Sequence, residues 1–360
     1  MTTTLLVEID GTELSAEDLE SLVDVTVEEA TDEADAATLV ARVTPTPDGE
    51  WTSILDPLTA PRTPLVVQVA HGDVTYRFDG YSTEAAWTLD ANGSSTLTVK
   101  ALDRTVELDA EEKVAAWPGT TDSGIAEAVF SSYGLTAEVE ATPAAPDPDV
   151  HVVLQRGTDW AFVRALARKW GYAAYLEADG EDVVGHFHPV DPLADPQAEL
   201  SLAFGGDAYH VEVKADLIAG ESVTADRIPA LSSSNQTSTA NGDDEPQGAT
   251  SLGGQVAVLL APTDVDGEVD PTEAANARAR RSAFGATLTA EIATDHVGVL
   301  FRARRTALVK GLGTALSGRY LVSKVRHVVS LAGHAQHLTL TRNALGLTGD
   351  EPFESGGGLF

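Results

Sequence analysis

The chain has 360 residues, 43% of them hydrophobic, so it can bury sizeable cores and is long enough for two or three domains. Its 56 acidic residues against 23 basic ones give a net charge of −33, which disfavours nucleic-acid binding, and the lack of cysteine removes disulfides, thiolate chemistry and cysteine zinc sites. No stretch reaches the roughly 18 apolar residues of a membrane span, and MTTTLLVEIDGTEL is no secretory leader, so a protein made in the cytoplasm with no membrane insertion is expected. The acidic, lysine-poor composition suits a high-salt cytoplasm and equally a high-GC genome.

TLLVEIDGTEL alternates and breaks at Asp10-Gly11, a hairpin signal. Between Pro64 and Thr105, alternating runs with turns at His71-Gly72-Asp73 and Asn92-Gly93 predict further strands, so residues 1–108 read as a first antiparallel β-barrel. Residues 109–200 change character and read as an α+β insert module. A helix capped by Thr121 and Asp122 carries Ile125, Val129 and Phe130 on one face and stops at Gly134. GTDWAFVRALARKWGYAAYLE predicts a second helix with Thr158 as N-cap and Asp159 at its positive end. Phe162, Val163, Leu166 and Trp170 form its apolar face, Gly171 its stop, and a hairpin turning at Asp179-Gly180 follows. Strands return at AYHVEVKADLIAG. A second β-barrel is expected from 201–225 and 300–347, interrupted by a mobile polar loop and an alanine-rich helix in 226–299. That helix starts at Pro271, with Asp270 or Thr272 near its cap. Residues 348–360 read as a flexible tail.

Candidate chemistry is sparse. His186 and His188 share a strand face, a spacing that can hold a metal, but no third ligand accompanies them. His334 and His337 fall on opposite faces and read as surface histidines. DVDGEVDP from Asp264 lacks the spacing of a calcium loop, and GLGTALSG lacks the lysine of a phosphate loop. Arginines gather at 278–281 and 302–305. In so acidic a chain their expected partners are carboxylates, within the chain or on a neighbouring subunit.

The order of these features resembles the phage late-control protein D family and the related VgrG hub region. Gln155, Thr158, Asp159, Trp160, Phe162, Leu166, Gly171 and Tyr172 match the signature of that family; Ala161 stands where a capping-box Glu is common. FDGYSTEA and STLTVKALDRTVEL resemble its first barrel. TDSGIAEAVFSSYGL resembles its insert helix, and PTEAANARARRSAF fits in order. Gly318, Tyr320, Val322, His327 and Asn343 match its closing strands. The resemblance implies a mainly β fold of two similar barrels with α+β inserts, assembled as a homotrimeric ring. It implies a baseplate hub adapting a sixfold tube to a threefold spike, in a virion tail or an injection-system baseplate. Expected partners are an inner tube protein, a spike protein and baseplate or LysM-type adaptor proteins. The sequence runs to Phe360 without a spike, so the spike is expected as a separate polypeptide.

No catalytic, cofactor-binding or metal-binding residue is expected. Trp160, Phe162, Leu166 and Trp170 are candidates for packing the insert on a barrel. Arg164, Arg168 and Lys169 are left for neighbours, and Arg278, Arg281, Arg302 and Arg305 are candidates for a subunit interface. The alternatives are a tail-associated cell-wall hydrolase, which needs a carboxylate pair, and a carbohydrate-binding β-protein, which needs an aromatic platform that a 6% aromatic chain scarcely offers.

Overall fold

Alternation of apolar and polar residues sets most strands of the computed structural model, which describes residues 3–31, 33–90, 94–143, 147–149, 152–202, 206–227, 236–260, 271–351 and 353. The first half contributes β1 (Thr4–Ile9), β2 (Leu22–Ala30), β3 (Ala36–Arg42), β4 (Pro64–His71), β5 (Val74–Thr88) and β6 (Thr96–Asp103). In β3 the alternate residues Ala37, Leu39 and Ala41 are buried, as a strand with one face on a core requires. Asp10 and Gly11 both take positive φ, 48° and 74°, which reverses the chain after β1.

The first insert follows. It contains β7 (Glu112–Trp117), α1 (Asp122–Ser132), β8 (Thr136–Val139), β9 (Val153–Thr158), α2 (Asp159–Trp170), β10 (Tyr172–Asp179) and β11 (Asp182–Pro189). The second half opens with β12 (Glu199–Ser201) and β13 (Ala208–Ala215). A second insert carries β14 (Glu221–Arg227), β15 (Gln236–Ala240), β16 (Val256–Leu259) and α3 (Pro271–Ser282). The half then closes with β17 (Ala286–Ala293), β18 (Thr306–Lys310), β19 (Gly318–Ser330) and β20 (Gly333–Arg342).

All these strands of the two halves belong to one thirteen-stranded sheet that runs β13-β17-β20-β19-β2-β3-β6-β5-β4-β1, with β18 beside β19, β12 beside β18, and the two-residue strand Thr12–Glu13, which has no counterpart in the second half, beside β1. The sheet surrounds two separate cores. One is built on residues such as Val7, Val27, Leu39, Val67, Phe78 and Val99, the other on Leu200, Leu288, Phe301, Tyr320, Val322 and Leu340.

The halves repeat each other strand for strand. Taken in chain order, β1 to β6 correspond to β12, β13, β17, β18, β19 and β20. The five pairings β1·β4, β2·β3, β3·β6, β4·β5 and β5·β6 recur as β12·β18, β13·β17, β17·β20, β18·β19 and β19·β20. One detail differs: β1 runs antiparallel to β4, whereas β12 runs parallel to β18. The fifth strand of each half is long and irregular, β5 between Ser82 and Glu84, β19 between Val322 and Lys324. A non-glycine residue with left-handed backbone precedes the fourth strand of each half: Arg62, φ 56°, and Arg304, φ 65°. Their amides donate to the equivalent carbonyls of Ser82 and Val322. Beyond its irregularity β19 leaves β18 and pairs with β2, which joins the halves into one sheet.

The expected second-half boundaries need correction. Residues 286–293 form β17, inside the main sheet, and not part of the insert; residues 221–227 form β14, inside the insert sheet with β15 and β16. Residues 236–254 are held by specific bonds where a mobile loop was expected. Gln247 is buried, its amide nitrogen donates to Asn343 Oδ1 at 2.8 Å, and Arg342 Nη2 donates to its carbonyl at 2.8 Å. Polar composition here serves hydrogen bonding to the sheet. In the expected tail, Glu351 accepts from the amides of Thr348 and Gly349, so residues 348–351 form a closed turn. The acidic turn from Asp264, with Asp270, and residues 354–360 lie outside the described residues.

Candidate functional site

The two halves and the first insert meet at a buried ionic junction built on residues 299–305, between β17 and β18. Two glutamines fix this segment. Gln336 accepts from the Phe301 amide at 2.8 Å and donates to the Val299 carbonyl at 2.7 Å. Gln197 accepts from the Arg302 amide at 2.8 Å and donates to its carbonyl at 2.9 Å. With the backbone held at both ends, Arg302 and Arg304 enter the interface with little freedom left.

Arg302 is 6% exposed. Its Nε and Nη2 donate to Glu29 of β2 at 2.8 and 2.6 Å, and Nη2 also donates to Glu177 of β10 at 2.8 Å. The Ala303 amide adds a bond to Glu29 at 3.1 Å. Arg304 donates to the Ala30 carbonyl at 2.8 Å and to Asp35, and its guanidinium lies 4.2 Å from the centre of the Tyr175 ring. Asp35 is in turn tied to Asp103 through its amide at 2.9 Å. Two arginines of the second half thus grip β2 and the β2–β3 turn of the first half, and both reach β10 of the insert.

Electrostatics follow from this geometry. Burial works against the Glu29 carboxylate, but Arg302 and Arg304 outweigh it and hold its pKa below the ordinary value. Asp35 shares Arg304 with Glu29 and sits near Asp103; burial and these like charges push it up to about 7. Beside the arginines, Arg302 lies over the ring of Tyr76, which stacks on His327, 5.6 Å between centroids. His327 Nδ1 and His334 Nε2 are 3.2 Å apart, and Thr3 Oγ1 lies 3.0 Å from His334 Nδ1. Burial takes His327 down to about 3 and His334 down to about 4, so both are neutral at pH 7. His334, expected at the surface, is buried because its face of β20 lies over the junction; His337 on the other face is solvent-accessible and 3.9 Å from Glu291.

The expected site residues fall in several places. Trp160 and Leu166 are buried in the core of the first insert, and Phe162 and Trp170 pack partly against it. The helix was expected to pack the insert on a barrel. It packs within the insert instead, and the barrel contact is made by Tyr175 and Glu177 of β10. Trp170 also reaches the second insert's core, and a side chain on Gly171 would come within 3.1 Å of Ala277 in α3. Glycine there serves both the left-handed stop, φ 71°, and the close approach of the two inserts. The signature residues Gln155 and Asp159 bond each other at 2.6 Å. Asp159 also accepts from Lys113 and Tyr133, so the motif buckles α2 to β7 and α1.

The arginines expected at a subunit interface are committed within the chain. Arg302 is buried against Glu29 and Glu177, Arg305 pairs with Glu177 at 3.2 Å, Arg278 with Glu221 at 2.7 Å, and Arg281 donates to the Arg168 carbonyl. Lys169, expected to face neighbours, pairs with Asp122 at 3.0 Å. Each of these four arginines thus has a partner inside the chain, a carboxylate for Arg278, Arg302 and Arg305 and a backbone carbonyl for Arg281. His186 and His188 flank Tyr175, one stacked at 4.5 Å and one 3.2 Å from its hydroxyl. Among the described residues no group of three or more His, Asp or Glu side chains is arranged for a metal.

Among solved structures, the chain has the fold of a 43 kDa tail protein from prophage MuSo2 of Shewanella oneidensis. The TM-score is 0.67 at 14% identity, over 96% of this chain and 100% of that one. A tail protein from Neisseria meningitidis MC58 gives 0.64 at 14% identity, over 96% and 98%. The c3393 protein of E. coli, described as a type VI secretion component similar to the T4 bacteriophage tail proteins gp27 and gp5, gives 0.57 at 10% identity, over 93% and 76%. At these identities the likeness is one of fold. No curated protein sequence matches the chain. Among the described residues no helix is long and apolar enough to cross a membrane. Residues 1–330 match the family model described as the Alg8 N-terminal domain, and the chain belongs to that family.

Proposed function

We propose that this protein is a structural, non-catalytic component of a contractile tail or related injection system: the baseplate hub, three copies of which form a ring between a sixfold tube and a threefold spike. The observation that carries the reading is the internal repeat. Two halves with the same strand order and the same five pairings, side by side in one chain, give six near-equivalent units in a closed trimer. One end of such a ring matches a sixfold tube protein, and the other, where the two halves need not be alike, stays threefold. The fold it shares along its whole length with tail proteins supports the same role. So does the placement of its buried carboxyl groups: Glu29, Asp35 and Asp103 lie beneath arginines, where a substrate has no access.

Native mass measurement with electron microscopy of the purified chain tests this. Three chains in a ring with sixfold-like density are expected. A chain that stays monomeric at high concentration, or closes into a ring of another number, overturns it.

A further inference from the structure

The repeat has one joint sealed within the chain and one left open. The sealed joint is β19 against β2. Its counterpart would be β5 against β13, since β5 corresponds to β19 and β13 to β2. Among the described residues both of those edges lack a partner. β13 ends the strand order, and residues 84–88 of β5 pair only with β6 among the described residues.

We propose that the outer edge of β13 in one copy of this chain pairs antiparallel with the free end of β5 in the next. The proposal rests on the trimeric hub reading and gives its interface. The register comes from the repeat. Thr26, Thr38, Lys100 and Glu84 lie in line across the first half, and Glu212, Thr289, Thr339 and Lys324 across the second. In the sealed joint Val27 faces His327, Thr26 faces Val328 and Val25 faces Val329. The same register sets Val213 opposite Trp87, Glu212 opposite Thr88, and Val211 opposite Leu89.

The side chains fit that alignment. In the sealed joint Val25, Val27, Val325 and His327 are buried where the strands meet. In the open one, Trp87 is 51% and Leu89 54% exposed although both continue the core-facing alternation of β5. Val211 and Val213 are the partly buried apolar residues across from them. Next to this edge lies a groove of about 330 Å³, lined by residues 58–62, 82–85 and Val106. Its counterpart in the second half, residues 300–304 and 322–325, is filled by Glu29 and Ala30. The residues that correspond to those two are Ala215 and Asp216, followed by the exposed Leu217 and Ile218. Arg62, the counterpart of Arg304, is exposed at the groove. Arg304 grips Ala30; Arg62 of one copy would grip Asp216 of the next.

Each chain offers two different edges, so the contact is heterologous and closes into a ring. Three joints of this kind alternate with the three sealed ones around a trimer.

The chain has no cysteine, so introduced pairs report without background. Two double variants, Trp87→Cys with Val213→Cys and Thr88→Cys with Glu212→Cys, sample adjacent positions; the second pair is exposed and spares folding. Oxidation should give covalent dimers and trimers on a denaturing gel from at least one of them, and none from any single variant. A trimer by native mass with no covalent product from either double variant overturns the pairing and leaves the hub reading standing. A chain that remains monomeric throughout overturns both.

Discussion

The sealed and open joints use one backbone plan with different chemistry. At the sealed joint, Arg302 and Arg304 sit with Glu29 and Asp35 out of reach of water. At the open joint the equivalent positions are Ala60 and Arg62, facing solvent in the free chain. A buried ion pair costs desolvation of both partners, and the attraction recovers that cost only when geometry is excellent. Within one chain the geometry forms once, during folding. A joint between chains must also exist open, and there an apolar strand edge with one arginine at its rim loses less on exposure.

The largest expected effect lies at the sealed joint. Arg302→Ala leaves Glu29 buried without its principal partner, and loss of about 3–5 kcal/mol is expected from chemical denaturation. Replacing Arg302 and Glu29 together by apolar residues of similar size should recover much of that loss. A single variant within about 1 kcal/mol of wild type would show that the junction is solvated and not a buried ion pair.

Packing within the inserts comes next. Leu166, 5% exposed, touches the first insert's core on its inward side, so Leu166→Ala should cost roughly 2–5 kcal/mol. Phe162 is only partly buried, so Phe162→Ala should cost less than Leu166→Ala in the same denaturation series. The reverse order would place the helix's buried face elsewhere.

Acid should weaken the sealed joint. His327 and His334 have folded-state pKa values of about 3 and about 4, below the unfolded 6.5. As pH falls from about 6.5 towards 4, the unfolded chain takes up protons that the folded chain refuses, and stability drops by up to about 1.4 kcal/mol per pH unit for each imidazole. Asp35 opposes this. Its folded value of about 7 lies above the unfolded 3.8, so in the same window the folded chain holds the extra proton. Asp103, also raised, acts in Asp35's direction. Unfolding free energies at pH 6.5 and 4.5 should therefore fall with acid, and Asp35→Asn should steepen the fall. A stability that is flat or rising on acidification removes the neutral histidine pair from the account.

Much of the fold was legible because it rests on short-range signals. The alternation of β3, the Asp10-Gly11 turn, Thr158 as N-cap and Gly171 as stop are read from neighbours a few residues apart. The junction was not legible. Glu29 with Asp35, Glu177, and Arg302 with Arg304 come from three distant segments, and nothing local marks two arginines among six as buried. The left-handed backbone at Arg62 and Arg304 gives no sequence sign, since arginine is not a residue chosen for that conformation. The polar run at 236–254 misled because Gln247 looks like loop material until Asn343 and Arg342 are folded against it.

The smallest expected effect sharpens the comparison most. Arg62 and Arg304 share a backbone conformation, and each donates its amide to the equivalent carbonyl on the fifth strand of its half, but only Arg304 has its guanidinium buried among carboxylates. Arg62→Ala should leave the stability of the unassembled chain within about 0.5 kcal/mol, as for other surface substitutions, while Arg304→Ala is strongly destabilising. Arg62→Gly should be neutral or slightly stabilising, because glycine accepts a φ of 56° without strain. Denaturation of dilute, monomeric protein measures all three. If Arg62→Ala destabilises the lone chain as much as Arg304→Ala, the first-half joint is already closed within the chain and the two joints do not differ as described. If it is silent in the monomer, its side chain is spare there, as a residue held for a neighbouring copy should be.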